Sequence, residues 1–173
     1  MVILNLPRMK KITLSLFILT ALCVALFSCT KEVAKLQGPT DAEMLAWSQS
    51  SAGMFYYQGD STNIIPPAAA QQNFHGPFKL RFNSYVKNAL GSDGRLAQGH
   101  TLPDSSLIVK VMYSGNNPVG YSTMFKLNHS WTWYMYFISP PTVAQSVNAS
   151  STLCTSCHAG TGNRDNVLSF TYH

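Results

Sequence analysis

The residues with the clearest chemistry form the segment Cys154-Thr155-Ser156-Cys157-His158. Two thiols three residues apart lie on one side of a helical turn, so each can reach one vinyl group of a porphyrin. The imidazole that follows then points at the porphyrin iron from the same side. C-x-x-C-H is the attachment signature of a c-type haem. The sequence therefore predicts one covalently attached haem c, held by Cys154 and Cys157, with His158 as the iron ligand.

Three other kinds of site use a C-x-x-C pair: a disulfide, a redox dithiol and half of a zinc site. A zinc site needs two further ligands at suitable spacing, and the only other cysteines, Cys23 and Cys29, do not form a second pair. A thioredoxin-like dithiol follows a strand in a βαβ unit, a pattern that the segment before Cys154 does not show. Haem attachment is therefore the favoured interpretation.

The second axial position of the iron has no obvious ligand in the sequence. The short segment after His158 contains no methionine, and its single histidine is His173. The upstream candidates are Met112, Met124 and Met135 in predicted strands, and His75, His100 and His129 in predicted loops. Methionines in strands usually belong to the core. We therefore expect five-coordinate iron with an open position, which a haem that binds a gas or a substrate requires.

Lys110 is the unusual residue of the segment 107–112, LIVKVM, because both alternating faces of that predicted strand are otherwise apolar. Lysine is rare in a strand that is buried on both sides. Burial would lower the pKa of its amine and leave a neutral nucleophile. The alternative is a lysine at a sheet edge, with its ammonium group in water. Lys126 occupies a similar position in a later strand.

Two helices are predicted ahead of the main strands. The segment 40–43, TDAE, is a capping box and predicts a helix that ends near Ser50. Its expected buried side chains are Met44, Leu45 and Trp47 or Met54. Asn83 is expected to cap a second, short helix that runs through Leu90 and stops at Gly91.

Strands follow from alternation and from turn residues. The segment 78–82, FKLRF, predicts a half-buried strand with its two basic residues on the polar face. Three further strands are predicted at Ser106–Tyr113, Gly120–Leu127 and Trp131–Ile138, joined at hairpin-like spacing. Residues 142–147 would form one or two helical turns. We predict an α+β fold, a single domain with a small antiparallel β-sheet, peripheral helices and a C-terminal haem-attachment helix.

Composition excludes several classes of protein. The chain has 173 residues, of which 46% are hydrophobic and 11% are charged, against about 25% charged in an average globular protein. A disordered tail protein, a coiled coil and a repeat array are therefore excluded. The formal net charge is +5, but three of the 12 basic residues are Arg8, Lys10 and Lys11. Once that segment is set aside, no strong electrostatic case for binding nucleic acid remains.

The N-terminal segment has the pattern of an export signal. Its basic residues precede the uncharged run 12–27, which is short for a bilayer span. The run ends in Leu26-Phe27-Ser28-Cys29, which resembles the lipobox of bacterial lipoproteins, in which the cysteine receives lipid and becomes the mature N-terminus. The alternative is ordinary cleavage near Ser28. The predicted parts are a lipoprotein signal peptide at 1–28, a tether at 29–39 and a haem domain at 40–173, lipid-anchored at Cys29 on the periplasmic side of a membrane.

Residues 74–172 resemble the cytochrome P-460 family, which includes the cytochromes c′-beta. The resemblance rests on His75-Gly76 leading to Asn83, on 102–110 (LPDSSLIVK), on Trp131-Thr132-Trp133-Tyr134, and on Cys154 to His158 followed by Asp165-Asn166-Val167-Leu168. Family members follow the haem motif with a similarly spaced Asp-x-Val-Phe. Leu168 replaces the phenylalanine here, and the usual Pro-x-Gly turn reads Pro103-Asp104-Ser105.

The resemblance implies a β-rich domain that forms homodimers and holds a five-coordinate haem c. Cytochromes P-460 oxidise hydroxylamine, and their haem carries an extra covalent bond from a lysine to a porphyrin meso carbon. The matching residue is Lys110. The cytochromes c′-beta share the fold, lack that bond and bind nitric oxide or carbon monoxide. The family also has an arginine near the haem; Arg81 is the nearest match, or Lys79 under a two-residue shift. Trp131 and Trp133 are expected in the sheet core.

The leading hypothesis is a haem enzyme that oxidises hydroxylamine or a related nitrogen oxide and passes electrons to an external acceptor. The candidate catalytic residues are Lys110, which would tune the haem, and Arg81, which would donate a hydrogen bond to the substrate. No general base is obvious in the sequence, and His75 is the only simple candidate for one. The alternatives are a nitric oxide or carbon monoxide binder without turnover, and an electron carrier in which a methionine such as Met124 fills the sixth position.

Overall fold

The structure, a computed structural model, describes residues 37–59, 61–66, 75–159 and 164–169, which belong to one compact unit. The predicted signal peptide, the predicted lipidation site at Cys29 and nearly all of the predicted tether lie outside these residues. Across the described ranges, none of the helices has the length and apolar character needed to cross a bilayer.

The architecture is a single antiparallel sheet of six strands in which each strand pairs with its neighbours in the chain. The strands are β1 (Phe55–Tyr56), β2 (Phe78–Phe82), β3 (Leu107–Ser114), β4 (Asn117–Leu127), β5 (Ser130–Phe137) and β6 (Thr142–Gln145). The helices are α1 (Asp41–Gln49), α2 (Ser84–Ala89) and α3 (Thr152–His158). The predicted α+β fold with a small antiparallel sheet and peripheral helices is therefore confirmed.

The sheet is larger than the sequence predicted. Residues 142–145 form β6 instead of the expected helical turns, because a turn at 138–141 reverses the chain and brings Val143 opposite Tyr136. The strand β1, which pairs Phe55 with Phe82, was not predicted because two residues have no periodicity. The strand β4 also begins three residues earlier than expected, at Asn117.

The two faces of the sheet carry different residues, because side chains of directly paired residues point to the same side. One face, here called the motif face, contains Leu80, Lys110, Ser122 and Met135 in one row of paired positions. The other, here called the helix face, contains the neighbouring row, which consists of Arg81, Val109, Thr123 and Tyr134. The largest buried cluster includes Phe82, Ile108, Met124 and Trp133 of the motif face, together with Val86 of α2.

The helix α1 packs on the helix face of the sheet. Its capping box is formed as predicted, since Thr40 N donates to the Glu43 carboxylate at 2.8 Å and Glu43 N donates to Thr40 Oγ1. Met44 is buried as expected, but the second fully buried residue is Ser48, whose hydroxyl lies 2.6 Å from Thr123 Oγ1. This contact fixes the end of α1 against the middle of β4.

Arg81 was expected on the polar face of a half-buried strand, and that expectation is wrong. Only 7% of its surface is exposed. The reason is that α1 covers the helix face, and a terminal amino group of Arg81 donates a hydrogen bond to the backbone carbonyl of Ser48. Lys79, two residues earlier on the same face, is half-buried.

We predict that Gly120→Ala destabilises the fold. A Cβ at Gly120 would lie 2.6 Å from the Tyr136 carbonyl oxygen on β5, so the β4–β5 pairing would have to shift. Overpacking of this kind costs about 1–3 kcal/mol. Urea denaturation measures the loss. Gly38→Ala is the control, because the nearest atom to its added methyl would be Leu127 Cδ2 at 3.8 Å. Equal stability of the two variants would contradict the prediction.

Candidate cofactor site

The helix α3 carries the two cysteines of the motif. It is seven residues long and has no side-chain cap at its N-terminus, and the Thr155 hydroxyl donates to the carbonyl of Ser151, the residue before the helix, at 3.0 Å. Cys154 is half-buried and Cys157 is exposed, and both thiols are free. Burial raises the pKa of the Cys154 thiol. Both cysteines are therefore present as separate thiols on one short helix.

An open cleft lies between α3 and the motif face, with a cavity volume of about 160 Å³. Cys154, Cys157 and His158 line it together. Its other walls include Trp133, Met135, Leu153, Ser122, Gln145 and His75. Mainly apolar walls with a few polar side chains are typical of ligand and cofactor sites. The motif therefore borders a cleft whose lining has the character of a cofactor site.

The imidazole of His158 is held in one orientation. Its Nδ1 lies 2.8 Å from the Asn166 carbonyl oxygen, which can only accept, so Nδ1 carries the proton. Burial lowers the pKa of His158 to about 4, helped by the nearby Lys110 charge and opposed by the Asn166 hydrogen bond. The ring is therefore neutral at pH 7, and its unprotonated Nε2 is the nitrogen available to a metal. A backbone hydrogen bond at the other ring nitrogen is the usual way in which proteins orient a histidine ligand.

The loop that supplies the Asn166 carbonyl has an unusual backbone. Asp165 and Asn166 have φ angles of 57° and 63°, in the left-handed region that aspartate and asparagine tolerate best. The Asp165 carboxylate accepts hydrogen bonds from Lys126 Nζ at 2.5 Å and from the Leu102 amide at 2.8 Å. The Asp165 carbonyl accepts a hydrogen bond from Trp131 Nε1 at 2.9 Å. Lys126, which is 2% exposed, thus positions the loop that positions His158.

Lys110 lies on the motif face in a smaller cavity that also contains His158, His75 and Met124. Its Nζ is 4.1 Å from the centre of the Phe78 ring, a favourable cation–π distance. Burial lowers the pKa of its amine to about 8, and the neighbouring Cys157 opposes this shift. Only a minor fraction of the amine is therefore uncharged at pH 7, but that fraction is far larger than for an exposed lysine, and the uncharged amine is nucleophilic.

Two aromatic side chains contact the imidazole of His158. The Trp133 ring lies edge-on with its centre 4.6 Å away, and the His75 ring is 6.3 Å away. Trp133 was expected only in the sheet core; it is buried there and also lines the cleft. Its Nε1 is buried and has no hydrogen-bond partner among the described residues. Burial lowers the pKa of His75 to about 3, with further contributions from Lys110 and His158.

The structure brings together four of the predicted site residues and separates a fifth. Cys154, Cys157, His158 and Lys110 border two cavities that share a wall. Arg81 lies on the opposite face of the sheet, because Leu80 is the residue of β2 that pairs with Lys110. Lys79, the alternative match two residues earlier in β2, lies on the same face as Arg81 and therefore also faces away from Lys110.

The supporting residues Lys126, Asp165 and Asn166 were not predicted to orient His158. Lys126 and Asp165 are separated by 39 positions in the sequence, so no local pattern joins them. The available signals were a lysine in an apolar strand and an Asp-Asn pair shortly after the motif.

Comparisons of this chain with family models, curated proteins and solved structures found no match. Within the described part of the chain, no group of three or more histidine, cysteine, aspartate or glutamate side chains is arranged to hold a metal ion.

We predict that breaking the Lys126–Asp165 pair destabilises the fold by about 3–5 kcal/mol, because one buried charge then loses its partner. Asp165→Asn keeps an oxygen for the Leu102 amide and removes only the charge. Lys126→Met keeps most of the side-chain volume. The double variant should lose much less than the sum of the two single losses, as measured by a double-mutant cycle in urea.

The control is Lys87→Met, at an exposed lysine of α2, which should leave stability nearly unchanged. Additive losses in Lys126→Met and Asp165→Asn would contradict a coupled pair.

Proposed function

We propose that this chain is an exported c-type haem protein of the cytochrome P-460 type, which oxidises hydroxylamine or a related nitrogen oxide and passes the electrons to an external acceptor. The observation that carries the proposal is the common position of Cys154, Cys157 and a neutral, oriented His158 at one apolar cleft. When bound, the haem supplies an iron centre that takes electrons from the substrate.

The residues of the cleft fit a covalently attached haem in their chemistry. Thioether bonds to vinyl groups require two free thiols, and Cys154 and Cys157 are free and three residues apart on α3. An axial histidine must be neutral, and burial keeps the pKa of His158 well below 7. Apolar walls such as Trp133 and Met135 exclude water from a porphyrin ring. We therefore assign Cys154 and Cys157 to attachment and His158 to iron ligation.

Lys110 is the residue that we propose for the bond to a porphyrin meso carbon, the bond that distinguishes cytochromes P-460 from cytochromes c′-beta. Two observations support this proposal. Lys110 lines the smaller cavity beside His158, and no ion pair joins its amine to a carboxylate among the described residues. Arg81 is not part of the proposal for substrate binding, because it lies across the sheet. Apart from His158, the polar side chains that line both cavities are His75 and Ser122, and these two are left to bind or orient a substrate.

A second candidate function is the binding of nitric oxide or carbon monoxide without turnover. The smaller cavity favours gas binding, because its walls include the apolar side chains of Leu80, Ile108, Met124 and Val167, which suit a small uncharged gas. Met124 also keeps open the third alternative, an electron carrier with a methionine at the sixth position. The rest of the proposal is the same for all three functions. It comprises export, a lipid anchor at Cys29, a periplasmic location and a homodimer.

We expect the purified protein to retain haem after extraction with acidified acetone, because thioether bonds survive that treatment. Cys154→Ser and Cys157→Ser should each lose one bond, and the double variant should release the haem entirely. Ser156→Ala, inside the same motif, is the control and should retain it. Release of haem from the unmodified protein would contradict covalent attachment.

The absorption spectrum of the same protein separates the three functions. A ferrous Soret band shifted strongly to the red favours the hydroxylamine oxidase. An ordinary five-coordinate spectrum that changes with nitric oxide favours the gas binder. A six-coordinate low-spin spectrum with a methionine charge-transfer band would overturn both in favour of the electron carrier.

We predict that the Lys110 peptide remains joined to the haem peptide after proteolysis, because the bond to the porphyrin is covalent. Peptide mass spectrometry measures this directly. Lys110→Met should release the peptide and move the ferrous Soret band back to the position of an ordinary haem c, with the thioethers intact. Lys87→Met is the matched control at an exposed lysine. A free Lys110 peptide in the unmodified protein would remove the main support for the enzymatic function.

A further inference from the structure

A separate cavity lies on the helix face of the sheet, on the side opposite the motif cleft. It has a volume of about 190 Å³ and opens to solvent between the end of α1 and the strands β1 to β4. Its side chains include Lys79 and Arg81 of β2 and three tyrosines, which are Tyr56, Tyr113 and Tyr121. None of the proposed haem contacts lines this cavity, so its chemistry requires a separate explanation.

Among the described residues, Arg81 is a buried cation without a carboxylate partner. Its side chain is 7% exposed, and one terminal amino group donates to the Ser48 carbonyl in the last turn of α1. Its Nε has no hydrogen-bond partner among the described residues, and no ion pair joins it to a described carboxylate. A guanidinium is always charged, and burying a charge without an opposite charge is costly. As far as the described residues go, Arg81 therefore brings to the wall of this cavity an unsatisfied donor and a positive charge that no carboxylate compensates.

The other polar groups of the cavity add to that charge. Lys79 Nζ donates to the Ser61 carbonyl at 2.8 Å and lies 5.5 Å from the centre of the Tyr113 ring. Burial raises the pKa of Tyr113, so its hydroxyl stays protonated at neutral pH and can donate a hydrogen bond. The lining contains two cations and three tyrosines, and no aspartate or glutamate is among the lining residues that the structure describes. Such a set of donors is complementary to an anion.

We propose that this cavity binds a small oxyanion, either a phosphate or a small carboxylate, with Arg81 as the principal ligand and Lys79 as the second. The planar guanidinium offers parallel N–H donors that match the oxygens of both groups. The tyrosine hydroxyls complete the shell. This site does not depend on the haem, because Arg81 and the motif lie on opposite faces of the sheet.

Isothermal titration calorimetry of the purified full-length protein tests the proposal, with inorganic phosphate in one arm and succinate in the other. Sodium chloride at matched ionic strength is the blank. We expect saturable binding in at least one arm, and the arm that binds identifies the class of oxyanion. Arg81→Gln should weaken binding about tenfold or more, as expected for a hydrogen bond to a charged group. Lys79→Met, at a half-buried position, should weaken it about threefold.

Lys87→Met controls for the loss of one positive charge elsewhere and should bind as tightly as the unmodified protein. If Arg81→Gln does not fold, Lys79→Met still tests the site. The absence of saturable binding in both arms would overturn the proposal. So would binding that neither substitution weakens. Asp60 lies outside the described residues. If the oxyanion bound only to Asp60→Asn, the Asp60 carboxylate would be the counter-charge of Arg81, and that result would also overturn the proposal.

Discussion

The hydrogen bond between His158 Nδ1 and the Asn166 carbonyl is the constraint on which the candidate site depends. The helix α3 has only seven residues and no side-chain cap, and helices this short have little stability of their own. The orientation of the imidazole therefore comes from the loop after α3. That loop is held in turn by the buried pair of Asp165 and Lys126, so a lysine on β4 determines which nitrogen of His158 faces the cleft.

Side chains alternate between the two faces of a β-strand, and this alternation places Lys110 and Arg81 on opposite faces of the sheet. Lys110 pairs across the sheet with Leu80 and faces the motif, whereas Arg81, one residue along β2, faces α1. The resemblance in sequence implied an arginine near a proposed haem, but a shift of one residue moves a side chain to the other side of a sheet. Arg81 therefore lies away from the cleft, and its guanidinium is a positive charge on the helix face.

Local signals in the sequence predicted the parts of the fold that depend on neighbouring residues. The capping box of Thr40 and Glu43 and the hairpin turn at 128–129 are formed by residues close together in the chain. The strand β6 was missed because its pairing with β5 outweighs the helical tendency of the segment 142–147. The burial of Arg81 was missed because the covering residue, Ser48, lies 33 positions earlier. A pattern of neighbouring residues cannot predict a contact between residues that are so far apart in the sequence.

Lys110 and Lys126 show why the sequence pattern could not assign their roles. Both lie in apolar strands, and both side chains point to the motif face. Lys126 reaches the carboxylate of Asp165 and is held in an ion pair that maintains the fold. No such pair is found for Lys110 among the described residues, and its amine lies against the Phe78 ring, where burial lowers its pKa to about 8. The two lysines therefore differ in their partners: the Lys126 amine is held in an ion pair, whereas the Lys110 amine lies in the smaller cavity beside His158 without an ion pair among the described residues.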